Sequence, residues 1–89
     1  MNWDVAVPIV AIVDGVKIMF FFRDHDPPHF HAEYGEFRAR ISIATLRIIQ
    51  GDLPVGKRRR VLQWAEEHQE ELSLAWADAQ SDRKPRSIG

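Results

Sequence analysis

Three of the four histidines of this 89-residue chain fall within nine consecutive residues, together with two carboxylates. The segment runs from Asp24 to Ala32 and reads DHDPPHFHA. His29 and His31 are two positions apart, so on a β-strand both imidazole rings project from the same face. Imidazole binds metals and transfers protons near neutral pH. The cluster is therefore the first candidate for a functional site.

Two arginines are predicted to share that face. A hairpin turn at Gly35-Glu36 pairs the histidine strand with the strand that follows it. This register sets Arg40 opposite His31 and places Arg38 two residues away on the same face. Guanidinium groups supply fixed donors for phosphate oxygens. The pattern favours a face that binds an anion or a nucleic acid.

The same residues support an enzymatic alternative. A metal-independent endoribonuclease needs a proton acceptor, a proton donor and a cation for the charge that develops on the phosphate. The candidate catalytic residues for that reaction are His25, His29, His31 and Arg40.

A metal ion is a further alternative, since two imidazole nitrogens on one strand can chelate Zn, Fe or Ni. A carboxylate ligand is available from Asp24, Asp26 or Glu33. Arg40, however, raises the electrostatic cost of placing a dication beside His31. Metal binding through His29 and His31 therefore stays an alternative, and no cofactor is expected.

A purely structural interpretation is open for each histidine taken singly. In it, the two strand histidines are half-exposed and pair across the hairpin with Ser42 and Arg40. His25 then hydrogen-bonds the backbone of its loop. The clustering of the three rings is what favours function over this interpretation.

A second basic feature lies near the start of the predicted helix, at Lys57-Arg58-Arg59-Arg60. Basic side chains there oppose the helix dipole, but the free backbone N–H groups of a helix start attract anions. The candidates for binding an anion or nucleic acid are thus Arg38, Arg40, Lys57, Arg58, Arg59 and Arg60. The alternative for the helix residues is a solvated face that pairs with Asp52, Glu66 and Glu67.

The segments around the cluster predict an antiparallel sheet. Asp14-Gly15 suits a two-residue type I′ turn between strands at residues 7–13 and 16–23. Closure there sets Val13 opposite Val16, and further along it sets Ile9 opposite Phe20. This strand pair is apolar on both faces, which implies that its second face is covered by the chain's own helix or tail or by a partner subunit. The histidine strand pairs with residues 37–43, and residues 46–50 form a further strand.

The rest of the chain predicts a helix. Pro54 suits a first helical position, and apolar residues recur at helical spacing to about Ala79. We therefore expect an α+β fold, a four- or five-stranded antiparallel meander packed against one long C-terminal helix. Residues 1–80 form a single domain in this prediction, and the polar residues 81–89 form a flexible tail.

Composition narrows the class of protein without giving its activity. Hydrophobic residues make up 45% and charged residues 28%, as in an ordinary globular domain, and the absence of cysteine excludes disulfides and thiolate metal sites. A formal net charge of −1 means that any nucleic-acid contact must be local. The N-terminal apolar run has no basic start and is interrupted by Asp14, so we expect no signal peptide, no membrane contact and a cytoplasmic location.

These motifs resemble the bacterial domain-of-unknown-function family 4160. The likeness covers about residues 10–76 and is strongest in the run PPHFHAEYG, which begins at Pro27; it also includes DGVKI, GDLP, Trp64, Glu70-Glu71-Leu72 and Trp76. Family members often have glycine where this chain has Leu46. The resemblance implies no activity, but it implies a companion protein encoded nearby and a toxin–antitoxin-like pair. We therefore expect a partner of such a companion that contacts RNA or DNA through its His/Arg face, with a homodimer as a further option.

Overall fold

The computed structural model describes residues 8–89 of the chain. Its strands are β1 (Ile9–Val13), β2 (Val16–Met19), β3 (His29–Tyr34), β4 (Phe37–Ser42) and β5 (Ile48–Gly51), and its helices are α1 (Val55–Glu67) and α2 (Gln69–Gln80). The strands form one antiparallel sheet in the order β1-β2-β3-β4-β5. The expected α+β class and antiparallel meander are confirmed.

The sheet has a face covered by the helices and an open face. Large apolar side chains from the strands and the loop after β2 are fully buried on the covered face: Val16, Ile18, Phe20, Phe30 and Ile41. The helices complete this core with Val61, Ala65, Leu72 and Ala75. Burying a large apolar side chain contributes about 1.5–3 kcal/mol. Because strand residues alternate, this burial turns the intervening polar residues of β2, β3 and β4 to the open face.

The turn of the first hairpin is confirmed, but its register is only partly as predicted. Asp14 and Gly15 have φ of +50° and +83°, as a type I′ turn requires. Val13 lies opposite Val16, whereas an irregularity between Ile9 and Ala11 sets Ile9 opposite Met19. The predicted pairing of Ile9 with Phe20 is therefore wrong, because a bulge adds one residue to β1. Val7, which the sequence places in the same strand, lies outside the described residues.

The second face of this hairpin is only partly covered within residues 8–89: Met19 of β2 is 4% exposed, but β1 is open. Ile9 is 47% exposed and Ile12 is 67% exposed. Neither helix covers them, because both helices lie against the other face of the sheet. The open face therefore has an apolar margin along β1.

The turn before β5 contains an unusual backbone conformation. Leu46 has φ of +59°, in the left-handed region that costs a residue with a side chain about 1–2 kcal/mol. The Leu46 N–H donates to the carbonyl of Ser42 over 2.8 Å, which closes the turn. The final strand accordingly begins at Ile48 and not at Leu46 as predicted.

The predicted single long helix is interrupted at His68. This residue has φ of −125° and ψ of 24°, which ends α1 and begins α2. The His68 ring Nδ1 lies 2.8 Å from the carbonyl oxygen of Trp64, and the ring stacks on the Trp64 indole. In a regular helix the backbone N–H of His68 would donate to that carbonyl. Here it donates to Ala65 instead, so the side chain replaces the backbone donor and the helix breaks.

Residues 81–89 are not the free tail that their polarity predicts. The Ile88 side chain is buried, and its backbone N–H donates to the carbonyl of Val10 on β1 over 2.8 Å. The buried Asp78 carboxylate accepts two 2.8 Å hydrogen bonds from the Arg86 guanidinium. An apolar anchor and ion pairs thus hold the segment, and the Ile88 N–H bonds the outer edge of β1. Within the described residues, neither helix is long and apolar enough to cross a membrane.

Candidate functional site

The strand carrying the histidines pairs with its neighbour as the sequence predicts. His29 lies opposite Ser42, and His31 lies opposite Arg40. Extending the pairing across the sheet gives an open-face row of Ile9, Met19, His31, Arg40 and Gln50. A second row runs through Ile12, Lys17, Glu33 and Arg38. The open face is therefore apolar on β1 and mainly polar on β3 and β4.

Asp24 brings the histidines together. Its Oδ2 atom lies 2.9 Å from Nε2 of His29 and 2.8 Å from Nε2 of His31. Its Oδ1 atom lies 3.0 Å from Nδ1 of His25 and accepts the His25 backbone N–H at the same distance. The sequence identifies Asp24 as one of three possible carboxylates, whereas the structure places it in contact with all three clustered rings.

The C-terminal end of α2 positions Asp24. The Gln80 side-chain amide donates to the Asp24 carbonyl over 2.8 Å, and the Arg23 N–H donates to the Ala79 carbonyl over 3.3 Å. The Arg23 guanidinium also forms an exposed ion pair with Asp82. Sequence reasoning missed these contacts, because no local pattern links residue 24 to residue 80.

Both strand histidines are buried, which contradicts both the half-exposed rings of the structural interpretation and the open rings of the ligand-binding one. His29 is 3% exposed and His31 is 8% exposed. The Phe21 ring stacks on His31 with centroids 3.8 Å apart, and the Trp76 indole of α2 lies 5.3 Å from the His29 ring. Acid–base catalysis by this pair would need both rings open to a substrate. His31 lines a surface groove.

The hydrogen bonding of His29 fixes the role of one ring nitrogen. Nδ1 lies 2.7 Å from the carbonyl oxygen of Pro27, and a carbonyl can only accept, so Nδ1 carries a proton. Nε2 lies 2.9 Å from Oδ2 of Asp24, but an N–H bond on this nitrogen would not point towards that oxygen, so the two atoms form no hydrogen bond. Within the described residues, this buried nitrogen has no hydrogen-bond partner.

Burial and charge act in opposite directions on Asp24. Burial raises the pKa of its carboxyl group, whereas hydrogen bonds from His31 and from the His25 backbone, with electrostatic interactions from His29 and His31, lower it. The stabilising contacts are stronger in sum, and the pKa of Asp24 falls to about 2. The site therefore holds a carboxylate anion throughout the neutral range.

For His31 the same two effects leave a neutral ring. Burial lowers its pKa, the hydrogen bond and charge of Asp24 raise it, and electrostatic interactions with His29 and Arg40 lower it further. The resulting pKa lies below the ordinary value of 6.5. At neutral pH the His31 ring therefore donates one N–H to Asp24 and keeps one lone pair.

A groove of about 370 Å³ lies on the open face beside His31. Its lining comes from the strands and the loop after β2: Phe21, His31, Ala32, Glu33, Arg38, Ala39, Arg40, Gln50 and Gly51. Arg38 lies 3.5 Å from Glu33 in an ion pair that is largely exposed. Within residues 8–89, Arg40 forms no ion pair, and it lines the groove.

Gly51 allows β5 to approach β4 at the wall of this groove. Its φ is +77°, and a Cβ atom built on it would lie 2.0 Å from the carbonyl oxygen of Arg38. Any side chain at this position would therefore force the two strands apart next to an arginine of the groove.

The basic cluster at the start of α1 is separate from the groove. Lys57 donates to the Asp14 carbonyl over 2.8 Å and lies over the Tyr34 ring, and Arg58 is paired with Asp52 at 3.0 Å. Helix α1 packs on the covered face of the sheet, whereas Arg38 and Arg40 project from the open face. The structure therefore does not unite the six basic residues in one surface.

Comparison with known proteins places the chain among proteins of undetermined activity. A sequence model of the family described as Domain of unknown function (DUF4160) matches residues 15–77. No curated protein and no solved structure matches the chain.

Proposed function

The chain belongs to the DUF4160 family of domains of unknown function, and we propose that it binds single-stranded nucleic acid on the open face of its sheet. The observation that carries this proposal is the groove in which Arg40 lies across β3–β4 from the His31 ring. Within residues 8–89, Arg40 has no carboxylate partner. An uncompensated guanidinium in a concave surface attracts phosphate oxygens.

Aromatic lining favours a single strand over a duplex. Phe21 lines the groove and stacks on His31. Proteins that bind single strands combine a positively charged groove with aromatic rings on which bases stack, whereas an intact duplex does not offer its base faces. Gln50, which lies opposite Arg40, adds a polar group at the far wall.

The overall charge sets the expected strength of binding. With a net charge of −1, the chain has no long-range attraction for a polyanion, and few phosphates are contacted. Binding is then weak and falls with added salt, with a slope of about −0.7 in log affinity against log salt for each phosphate contact.

The companion protein implied by the family resemblance completes the proposed role. We place its contact on the apolar margin of the open face, where Ile9 and Ile12 are exposed on β1. Companion and nucleic acid would then bind neighbouring parts of one face. Co-purification of the full chain with the product of the adjacent gene tests this part. Loss of the complex in Ile12→Asp supports it, whereas a complex that Ile12→Asp leaves intact contradicts it.

Fluorescence anisotropy with labelled single-stranded RNA and DNA tests nucleic-acid binding. We expect saturable binding at low salt that weakens in Arg40→Gln and further in Arg38→Gln/Arg40→Gln. The matched control is Arg59→Gln, which removes an exposed charge from α1 on the other side of the sheet. Absence of binding at low salt, or equal losses in Arg40→Gln and Arg59→Gln, would contradict the proposal.

A further inference from the structure

We propose that Asp24, His29 and His31 bind one divalent transition-metal ion, a property that does not depend on nucleic-acid binding. One ligand atom from each residue lies within 4.8 Å of the other two. Two histidines and one carboxylate are a common donor set for Zn²⁺ and for other borderline divalent ions. The three residues come from a loop and the strand that follows it, and the fold brings their donor atoms to one point.

His29 has the hydrogen bonding of a metal ligand. Metal-binding histidines usually donate the N–H of the non-ligating nitrogen to a carbonyl or carboxylate, which orients the ring. Nδ1 of His29 makes such a contact with the Pro27 carbonyl at 2.7 Å. Its Nε2 atom is buried, points into the cluster and lacks a hydrogen-bond partner among the described residues. With the proton on Nδ1, Nε2 can present its lone pair to a cation.

Asp24 supplies the negative charge that the ion needs. Its Oδ2 atom touches both rings, at 2.9 and 2.8 Å. From the sequence alone, the positive charge of Arg40 argues against a cation beside His31. In the structure the carboxylate is in direct contact with the ring, whereas Arg40 forms no hydrogen bond or ion pair with it within the described residues. The nearer opposite charge outweighs the more distant like charge.

The ligand atoms must rearrange to accept the ion. Bonds of about 2.0–2.2 Å in tetrahedral geometry place ligand atoms about 3.3 Å apart. Oδ2 of Asp24 must therefore draw back by about 0.5 Å from the two rings, and the two imidazole nitrogens, which now lie within 4.8 Å of each other, must also reach this spacing. When Nε2 of His31 binds the ion, it can no longer carry the proton that it donates to Asp24. The single proton of the ring is then on Nδ1. Within the described residues, Nδ1 of His31 forms no hydrogen bond that this change would break.

The ion would tie the loop at residues 24–28 to the sheet. Asp24 is the first residue of this loop, and both histidines lie on β3 after it. Three protein ligands leave at least one coordination position for water or another ligand. Binding to the folded chain alone then raises the unfolding temperature, because the unfolded chain does not hold the three ligands together.

Titration of the untagged full chain with Co²⁺ after removal of metals by EDTA tests this assignment. Co²⁺ reports nitrogen and oxygen ligands in tetrahedral geometry through its visible absorption, and Zn²⁺ should displace it. We expect one Co²⁺ per chain and a higher unfolding temperature on binding. Asp24→Asn, His29→Gln and His31→Gln should each lower the affinity by about 10–100-fold or more.

The matched control is His68→Gln, which removes a half-buried histidine far along the sequence and should leave the affinity unchanged. If a ligand variant fails to fold, imidazole nitrogen NMR of the wild-type chain gives the answer, because Zn²⁺ should shift the signals of His29 and His31 and not that of His68. Absence of saturable binding, or equal binding by the ligand variants and the control, would overturn the proposal. Either result leaves the anisotropy test of nucleic-acid binding unaffected.

Discussion

The Nε2 atom of His31 donates a 2.8 Å hydrogen bond to the carboxylate of Asp24, seven residues earlier in the chain. This contact folds the intervening loop back on β3 and buries a titratable cluster at the end of the groove. The same ring stacks on Phe21 and lies across the sheet from Arg40. His31 therefore joins the buried cluster to the open surface.

The contact between Gln80 and Asp24 predicts that α2 stabilises the site. Gln80→Ala removes the donor to the Asp24 carbonyl, and we expect a loss of about 1 kcal/mol in the free energy of unfolding. Urea denaturation measures it. Gln63→Ala, which changes an exposed glutamine of α1, is the control and should lose much less. Equal effects of the two changes would show that the contact does not hold the loop.

The ion pair between Asp78 and Arg86 predicts a loss of stability in acid. Hydrogen bonds from Arg86 lower the pKa of Asp78 from 3.8 to about 2, against an opposing effect of burial. A lowered pKa stabilises the folded state above the unfolded value, and this contribution disappears as the pH falls from about 4 towards 2. Between pH 6 and pH 2, the unfolding temperature of Asp78→Asn should therefore fall less than that of the parent. Parallel curves would contradict the assignment.

The close approach of Gly51 to Arg38 predicts a strong effect of adding one methyl group. Gly51→Ala places a Cβ 2.0 Å from a carbonyl oxygen at positive φ, and we expect a destabilisation of about 2 kcal/mol or more. Gly56→Ala is the control, since Gly56 is in α1 with open space around it. It should stabilise the chain by up to about 1 kcal/mol. Similar behaviour of both variants in chemical denaturation would count against the β4–β5 geometry.

The buried position of Ile88 predicts that the final residues belong to the folded structure. Ile88→Ala removes apolar contacts at a side chain that is 5% exposed, and we expect a loss of about 2 kcal/mol. Ser87→Ala changes an exposed neighbouring residue and should leave the free energy of unfolding almost unchanged. Hydrogen exchange adds a second measurement, since the Ile88 amide donates to Val10 and should be protected. Rapid exchange together with an unchanged unfolding curve would mean that the segment is not packed.

Local patterns were sufficient to predict the hairpin of β3 and β4 and the face on which the histidines lie, whereas β2 ends at Met19, short of the predicted residue 23, and β5 begins two residues late. Apolar and polar residues alternate from His29 to Ser42, and a one-residue shift would expose the core, so the register follows from burial. Asp14-Gly15 likewise predicts a type I′ turn, because few other residue pairs tolerate the positive φ angles that this turn requires.

Features that depend on tertiary contacts were not predictable in this way. Nothing near His68 indicates that its ring replaces a backbone donor, and nothing near Ile88 indicates that β1 accepts its N–H. The burial of His29 and His31 has the same origin, since Asp24 reaches them only because α2 holds the preceding loop. Polar residues that sequence patterns assign to solvent become buried when a distant element supplies their hydrogen bonds.

Amide NMR of the labelled chain during titration with a single-stranded oligonucleotide tests the central claim most directly, because it locates the bound ligand on the fold. The account predicts salt-sensitive shifts confined to the groove, centred on His31 and Arg40 and extending to Gln50. Shifts centred instead on Arg59 and the start of α1, or no shifts at low salt, would contradict it.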